Sequence, residues 1–438
     1  MPEALAPVSQ QQRHQPVDAL RGVAVLGILA LNIVGFAFHP AVYADPTVDG
    51  GAQGPNLWVF LINAVLIDGK MRGLFTLLFG AGICLFTARG EERGAGISVA
   101  DAYYRRTLWL LLIGVAHAYL LWWGEVLYPY AVLGLILFPF RRLSPRRLTV
   151  LASVLTVLLT AGAAYEAYDT GQTRAKALTA QALKKAGNKL TEEQEKALAS
   201  WEERLKSTKP DAAELKKNHD QNVGGFASAF RVRAATLSFF HRLPLYSPMY
   251  WDFLLMMLLG MAFLKSGVLT AERSTAFYVK LALAGYLIGL PLHAVQLWVQ
   301  LTGWFDVVSN AWAFVWYEPA RIAVCLGHLS LLILLFKHAT LPSLTRVLAA
   351  TGQMALTNYI MQSVICTLVF NVFKLHGAFQ RYQVYFVLAA IWALQLAWSP
   401  IWLSRFRFGP AEWCWRSLTY WQRQPMRLAQ PASGSLPV

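Results

Sequence analysis

Arg13-His14-Gln15-Pro16-Val17-Asp18-Ala19-Leu20-Arg21-Gly22 runs directly into an apolar stretch from Val23 to Phe38, and this junction decides the fold. Asp18 and Arg21, three residues apart, lie on one face of a helix and can neutralise each other. Asp18 also suits a helix N-terminus, where the dipole favours negative charge. Gly22 and Gly27 let a neighbouring helix approach closely, as small residues do inside membranes. Asn32 is a polar amide at membrane depth and needs a partner. The stretch reads as an anchored first transmembrane helix.

The rest of the chain agrees. It has 438 residues, 56 % of them hydrophobic and 14 % charged, with a mean hydropathy of +0.40. Apolar runs of bilayer-spanning length recur at 19–38, 71–88, 105–123, 126–140, 148–167, 250–265, 276–299, 319–336, 351–373 and 383–403. The expected fold is therefore all-α and polytopic, with about ten transmembrane helices. The net charge of +15 does not gather on a folded domain with interleaved aromatics, so nucleic acid is not an expected partner; the lipid bilayer is. Twenty Lys and Arg, Arg13 and Arg93 among them, fall in short segments on the side of the termini. Five (Lys70, Arg72, Arg321, Lys374 and Arg381) fall on the other side. That bias puts both termini in the cytoplasm. Tyr246, Tyr250, Trp251 and Trp304 belong to an aromatic belt at the outer ends. Cys84, Cys325, Cys366 and Cys414 show no paired spacing, and neither a disulfide nor a metal site is expected of them.

Four segments follow: a membrane bundle over 1–168, a charged insert with an interfacial stretch over 169–249, a second bundle over 250–404, and an amphipathic tail over 405–438. The insert is rich in Lys, Glu and Ala, with a capping box at Thr191–Gln194, and reads as an outer-side helical hairpin with solvated faces. Asp68-Gly69-Lys70 breaks the apolar run that precedes the second crossing.

Asp18 to Asn32, Gly352 to Ser363 (with Asn358, Tyr359 and Gln362), and Phe408 to Arg416 (with Gly409, Pro410, Glu412 and Trp415) carry a resemblance to the YeiB-like family of bacterial polytopic membrane proteins, a domain of unknown function. That family is more remotely similar to the lysosomal heparan-α-glucosaminide N-acetyltransferase and other transmembrane acyltransferases. The resemblance implies a bacterial inner-membrane location and marks Asp18, Arg21, Gly22, Glu412 and Arg416 as motif residues. It also implies a His followed by a Gly-acid pair, matched here by His117 and Gly124-Glu125, although the family more often has Asp at that acid. The lysosomal enzyme's catalytic His follows its first span; His39 is nearest here, at a different spacing from Asn32.

Ionisable groups inside spans are costly and mark candidate chemistry. His117 with Glu125 is the candidate catalytic pair, His117 as general base and Glu125 as its orienting carboxylate. Asn32, His39, Asp68, Arg72, His293, Asn358 and Gln362 are candidate substrate-binding groups, several at similar depth. A hydrogen-bonded core His, and amides that merely tie helices together, are the competing readings. Two function classes remain. One is an acyltransferase using cytoplasmic acyl-coenzyme A as co-substrate and a small-molecule, glycan or lipid acceptor; the other is a transporter or transport partner for a small solute. A homo-oligomer is compatible with either.

Overall fold

Pro16 at the first turn, Asp18 within it and no break until Phe38 make α1 a continuous helix, Gln15–Ala37. The computed structural model describes residues 14–92, 94, 96–242 and 247–428. Arg13, Arg93, Tyr246 and the end of the tail from 429 lie outside the described residues. The other helices are α2 Pro55–Leu66, α3 Lys70–Glu92, α4 Ser98–Leu120, α5 Leu127–Leu137, α6 Pro145–Lys185, α7 Glu192–Thr208, α8 Ala212–Val223 and α9 Phe226–Arg242. They continue with α10 Pro248–Lys265, α11 Thr275–Thr302, α12 Val307–Lys337, α13 Pro342–Gln353, α14 Ala355–Thr367, α15 Arg381–Leu403 and α16 Pro410–Tyr420. Among the described residues there is no β-strand.

Among the described residues, eight helical stretches are long and apolar enough to cross a membrane, α2 and α3 counting as one. The two other expected crossings fall on α4 and α5. Asp101, Arg105, Arg106 and His117 make α4 less apolar, though its 23 residues are long enough to span. With 11 residues, α5 covers about 16 Å, roughly half of a bilayer core. The break at Asp68-Gly69-Lys70 is present: Gly69 takes φ +70°, a left-handed conformation that ends one helix and starts the next.

Among the close glycine crossings, two join helices distant in sequence. At the first, a Cβ on Gly22 would strike the carbonyl of Leu348, and one on Gly352 would strike that of Asp18, so α1 and α13 touch backbone to backbone. Gly80 and Gly260 do the same for α3 and α10. Through these contacts the segments 1–168 and 250–404 interlock, with α1 packed against α13, α14 and α15. By contrast α6, α11 and α15 expose Val157, Leu287 and Phe386, the surface a lipid-facing helix presents.

The stretch expected to be one span over 351–373 is divided. Thr351 to Gln353 end α13, and the crossing proper is α14 with the π-helical turn Leu368–Val372. The insert is also more than a solvated hairpin. In place of a span and a separate arm, α6 runs for 41 residues, about 60 Å. The expected capping box opens α7. Arg204 of α7 reaches back to Glu166 at 2.7 Å. Lys209 meets Asp45 at 3.2 Å, Asn371 donates to the Asn222 carbonyl at 3.1 Å, and Arg233 of α9 donates to the carbonyls of Tyr119 and Leu120. The insert thus covers the end of the bundle opposite the termini.

Candidate functional site

Gly114 lies one turn before His117 and lets the start of α5 press against α4, since a Cβ there would meet the Tyr128 backbone nitrogen. The short loop between these helices ends at Glu125, whose Oε1 accepts from the Tyr128 amide at 2.7 Å and so caps the first turn of α5. Its other oxygen, Oε2, comes within 2.5 Å of His117 Nδ1. The contact is a close approach without the alignment of a hydrogen bond, and it becomes an ion pair when the imidazole is protonated. The opposite ring nitrogen, Nε2, is 2.8 Å from Ser363 Oγ on α14. Tyr359, one turn earlier on α14, stacks on the imidazole with ring centroids 4.9 Å apart and donates to Glu125 Oε2 at 3.4 Å. All four side chains are buried.

Two cavities approach this cluster. The larger, about 280 Å³, lies at the end where α1 begins and α16 docks. Arg21, Arg106 and Arg416 stand around it, and its interior is lined by Phe75, Leu78, Phe79, Leu110, Leu127 and Tyr359. The guanidinium of Arg106 stacks on Trp415 at 3.7 Å, and among the described residues no carboxylate pairs with it. The second cavity, about 160 Å³, is lined mainly by apolar side chains, with Asn32, Arg72, Glu125, Ser247 and Tyr250 among its polar groups. Tyr359 therefore borders the first space and Glu125 the second.

The remaining sequence candidates do not all converge. Arg72 joins the second cavity but also pairs with Asp252 at 2.5 Å. Arg321 bonds Asp252 as well and reaches Glu318 at 2.6 Å, so this network ties α3, α10 and α12 together. Asp68 accepts from Tyr317 at 3.3 Å beside it. His293 is fully buried and contacts Gln296 of its own helix at 2.9 Å. His39 caps a 3-10 turn, Pro40–Tyr43, just beyond the end of α1, and lines neither cavity. Asn358 donates to the Thr351 carbonyl and to Ser399 and accepts from Trp398; Gln362 donates to the Val25 carbonyl and to Gln395. These two amides tie helices together, the bland reading of their stripe.

Of the motif residues, Gly22 packs against Leu348, while Asp18, Arg21, Glu412 and Arg416 line the larger cavity. Asp18 and Arg21 pair at 3.0 Å on its rim. Glu412 caps α14 from a distance, accepting from the amides of Leu356 at 2.6 Å and Thr357 at 3.1 Å and from the Thr357 hydroxyl. Arg416 lies over Phe408, 4.8 Å from the ring centre. Sequence reasoning did not pair Ser363 or Tyr359 with His117, 246 positions away from Ser363 in the first case. The available signal was their i, i+4 spacing, which gives them a stripe of α14 adjacent to that of Asn358 and Gln362.

Comparison with known proteins bears on this arrangement. A family model described as "Protein of unknown function (DUF418)" matches residues 263–422, from the end of α10 through α16. The chain is 30 % identical over 428 residues to "Uncharacterized protein YeiB" of Escherichia coli (strain K12), covering 96 % of this chain and 98 % of the relative. It is 28 % identical over 438 residues to "Uncharacterized protein YxaH" of Bacillus subtilis (strain 168), covering 97 % of this chain and 98 % of that protein. No solved structure matches.

Proposed function

The chain belongs to the YeiB-like family of bacterial membrane proteins, and from that footing we propose that it is a membrane-embedded acyltransferase. It moves an acyl group from a cytoplasmic acyl-coenzyme A to a hydroxyl or amine presented from the membrane or the far side. The observation that carries this reading is the His117 imidazole, held between Glu125 and Ser363 where two separate cavities draw near. The membrane is the bacterial inner membrane, with both termini cytoplasmic, which makes the larger cavity the donor's.

The larger cavity fits such a donor. Arginines bind phosphates through charge-assisted hydrogen bonds, and Arg21, Arg106 and Arg416 stand around the cavity. Beyond them the walls are apolar as far as Tyr359, suited to an acyl chain. His117 takes the proton of the attacking hydroxyl as general base. Glu125 Oε2, 2.5 Å from the other ring nitrogen, faces the positive charge that develops on the ring. The second cavity, mainly apolar but lined also by Asn32, Arg72, Glu125, Ser247 and Tyr250, receives an acceptor that carries its polar group at the Glu125 end.

Transport of a small solute is a second reading, favoured by the two cavities lying on either side of a buried polar cluster. Thiol release from acyl-coenzyme A by the purified chain in nanodiscs separates the two. Under the acyltransferase reading, His117→Ala slows transfer roughly 10²–10⁴-fold per folded molecule, while His39→Ala changes little. Equal specific activity in His117→Ala would refute the assignment of the base. No release from any acyl-coenzyme A would leave transport.

A further inference from the structure

We infer that Ser363 is a nucleophile, so that transfer passes through an acyl-serine and not directly from donor to acceptor. The inference rests on the acyltransferase reading and goes beyond it by naming the residue that carries the group.

The geometry has the three parts that nucleophilic catalysis by a hydroxyl needs. Ser363 Oγ is 2.8 Å from His117 Nε2, and His117 Nδ1 is 2.5 Å from Glu125 Oε2. A hydroxyl in hydrogen-bond reach of a base, with a carboxylate against the base's other nitrogen, has the order of groups that activates serine on many unrelated folds, here without an aligned hydrogen bond on the carboxylate side. Glu125 is itself held, because its other oxygen is committed to the Tyr128 amide.

The orientation of the hydroxyl argues against plain packing. A Ser or Thr inside a helix usually returns its hydroxyl to the carbonyl four residues back. Thr76, Thr87, Thr345 and Thr351 do so here at 2.7–3.0 Å. Ser363 sits 3.5 Å from the Tyr359 carbonyl, at the limit of a hydrogen bond, and is directed instead at the imidazole. Helix capping does not explain it either, since Ser363 is well inside α14.

Position adds the rest. Ser363 is one helical turn beyond Tyr359, whose ring borders the donor cavity and covers the face of His117. A swing of that ring admits the thioester carbonyl to Ser363. With the ring in place, Ser363 is shut off from water, which protects an ester formed there against hydrolysis.

The chemistry balances without another reagent. In the first half, the bond from Oγ to the acyl carbon forms and the carbon–sulfur bond breaks. The serine proton passes to His117 Nε2 and from there to the departing thiolate. In the second half, the acceptor's hydroxyl or amine attacks the same carbon and gives its proton to Nε2. The bond to Oγ then breaks, and the proton returns to serine.

The test uses the full chain in nanodiscs with radiolabelled acetyl- and octanoyl-coenzyme A and no acceptor. The wild type should release thiol in a burst stoichiometric with protein and keep the label through denaturation. The label should resist neutral hydroxylamine and yield to alkali, as a serine ester does. Ser363→Ala should carry no label and transfer about 10³-fold more slowly or worse. Ser363→Cys should regain the label, now labile to neutral hydroxylamine as a thioester, a change that a packing role would not produce. Wild-type transfer in Ser363→Ala overturns the inference and leaves the acyltransferase reading standing. If Ser363→Ala does not accumulate, Ser363→Cys decides: a folded Cys variant whose label stays hydroxylamine-resistant also overturns it. Absence of thiol release from the wild type refutes the acyltransferase reading, and this inference with it.

Discussion

Replacing Glu412 should loosen the helix that carries Tyr359 and Ser363, although Glu412 belongs to the tail. Its carboxylate serves three buried donors at the start of α14: the amides of Leu356 and Thr357 and the Thr357 hydroxyl. Glu412→Ala strips all three at once. A buried donor left without a partner costs about 1–3 kcal/mol. Water entering from the adjoining cavity would relieve part of that, so a net loss of about 3 kcal/mol is expected. Glu412→Gln keeps an oxygen for the amides and can donate to the Thr357 hydroxyl, so it should lose far less. Burial pushes the Glu412 carboxyl above its ordinary value, against the pull of its hydrogen bonds. The folded chain therefore binds this proton more readily than the unfolded one. The resulting stability is greatest in acid and is lost as pH rises through the raised value, so Glu412→Gln should gain on wild type with rising pH. Thermal unfolding in detergent reads the global effect. The rate of maleimide labelling at Cys366, buried on α14, reads the local one in a Cys414→Ser background that removes the exposed thiol. A Glu412→Ala variant that melts like wild type, with Cys366 equally protected, would refute the capping argument.

Three other outcomes are expected. Gly352→Ala should cost about 1–3 kcal/mol or more by forcing α13 off α1, whereas Gly162→Ala on α6, with nothing near its Cβ, should be neutral or stabilising in the same melt. Burial, and then His219 and His39, hold His376 down at about 4 from its ordinary 6.5. Between those values the unfolded chain takes a proton that the folded chain refuses. Stability should be full above 6.5 and fall by up to about 3 kcal/mol as pH drops toward 4, and His376→Gln should flatten that slope in melts across the pH range. If the larger cavity takes acyl-coenzyme A as proposed, Arg106→Gln should raise the KM for it with kcat little changed, because Arg106 stands on the cavity's rim; an unchanged KM would remove it from the donor site.

The membrane fold was legible because apolar run length is a local property. Asp68-Gly69-Lys70 likewise announced its break through a glycine that tolerates positive φ. The pairing of His117 with Glu125 was also legible, because eight positions separate them and a short loop must return the second toward the first. Ser363 and Glu412 were not placed, for the opposite reason. Their partners lie 246 and 55–56 positions away, and only the crossing of α13 over α1 and the docking of α16 bring them there. The depth of polar groups alone misled. His39, His293 and Arg72 share a level in the sequence reading, yet they occupy a loop turn, a helix interior and an ion network. Depth does not say which face of a helix a residue occupies.

The unbroken α6 imposes a phase rule on this chain. It packs against α10 and α12, and its upper part also holds α7 and pairs Arg174 with Asp306 at 3.2 Å. Each residue added below that upper part would turn everything above by about 100° and lift it about 1.5 Å. A single insertion would therefore swing Lys209 away from Asp45 and Asn222 away from Asn371. Seven residues would nearly restore the bearing, about 20° short of two full turns, but would raise the insert by about 10 Å. Length changes in this helix are quantised by angle and penalised by height, so relatives that keep the covering insert should vary in its loops and not in its shaft.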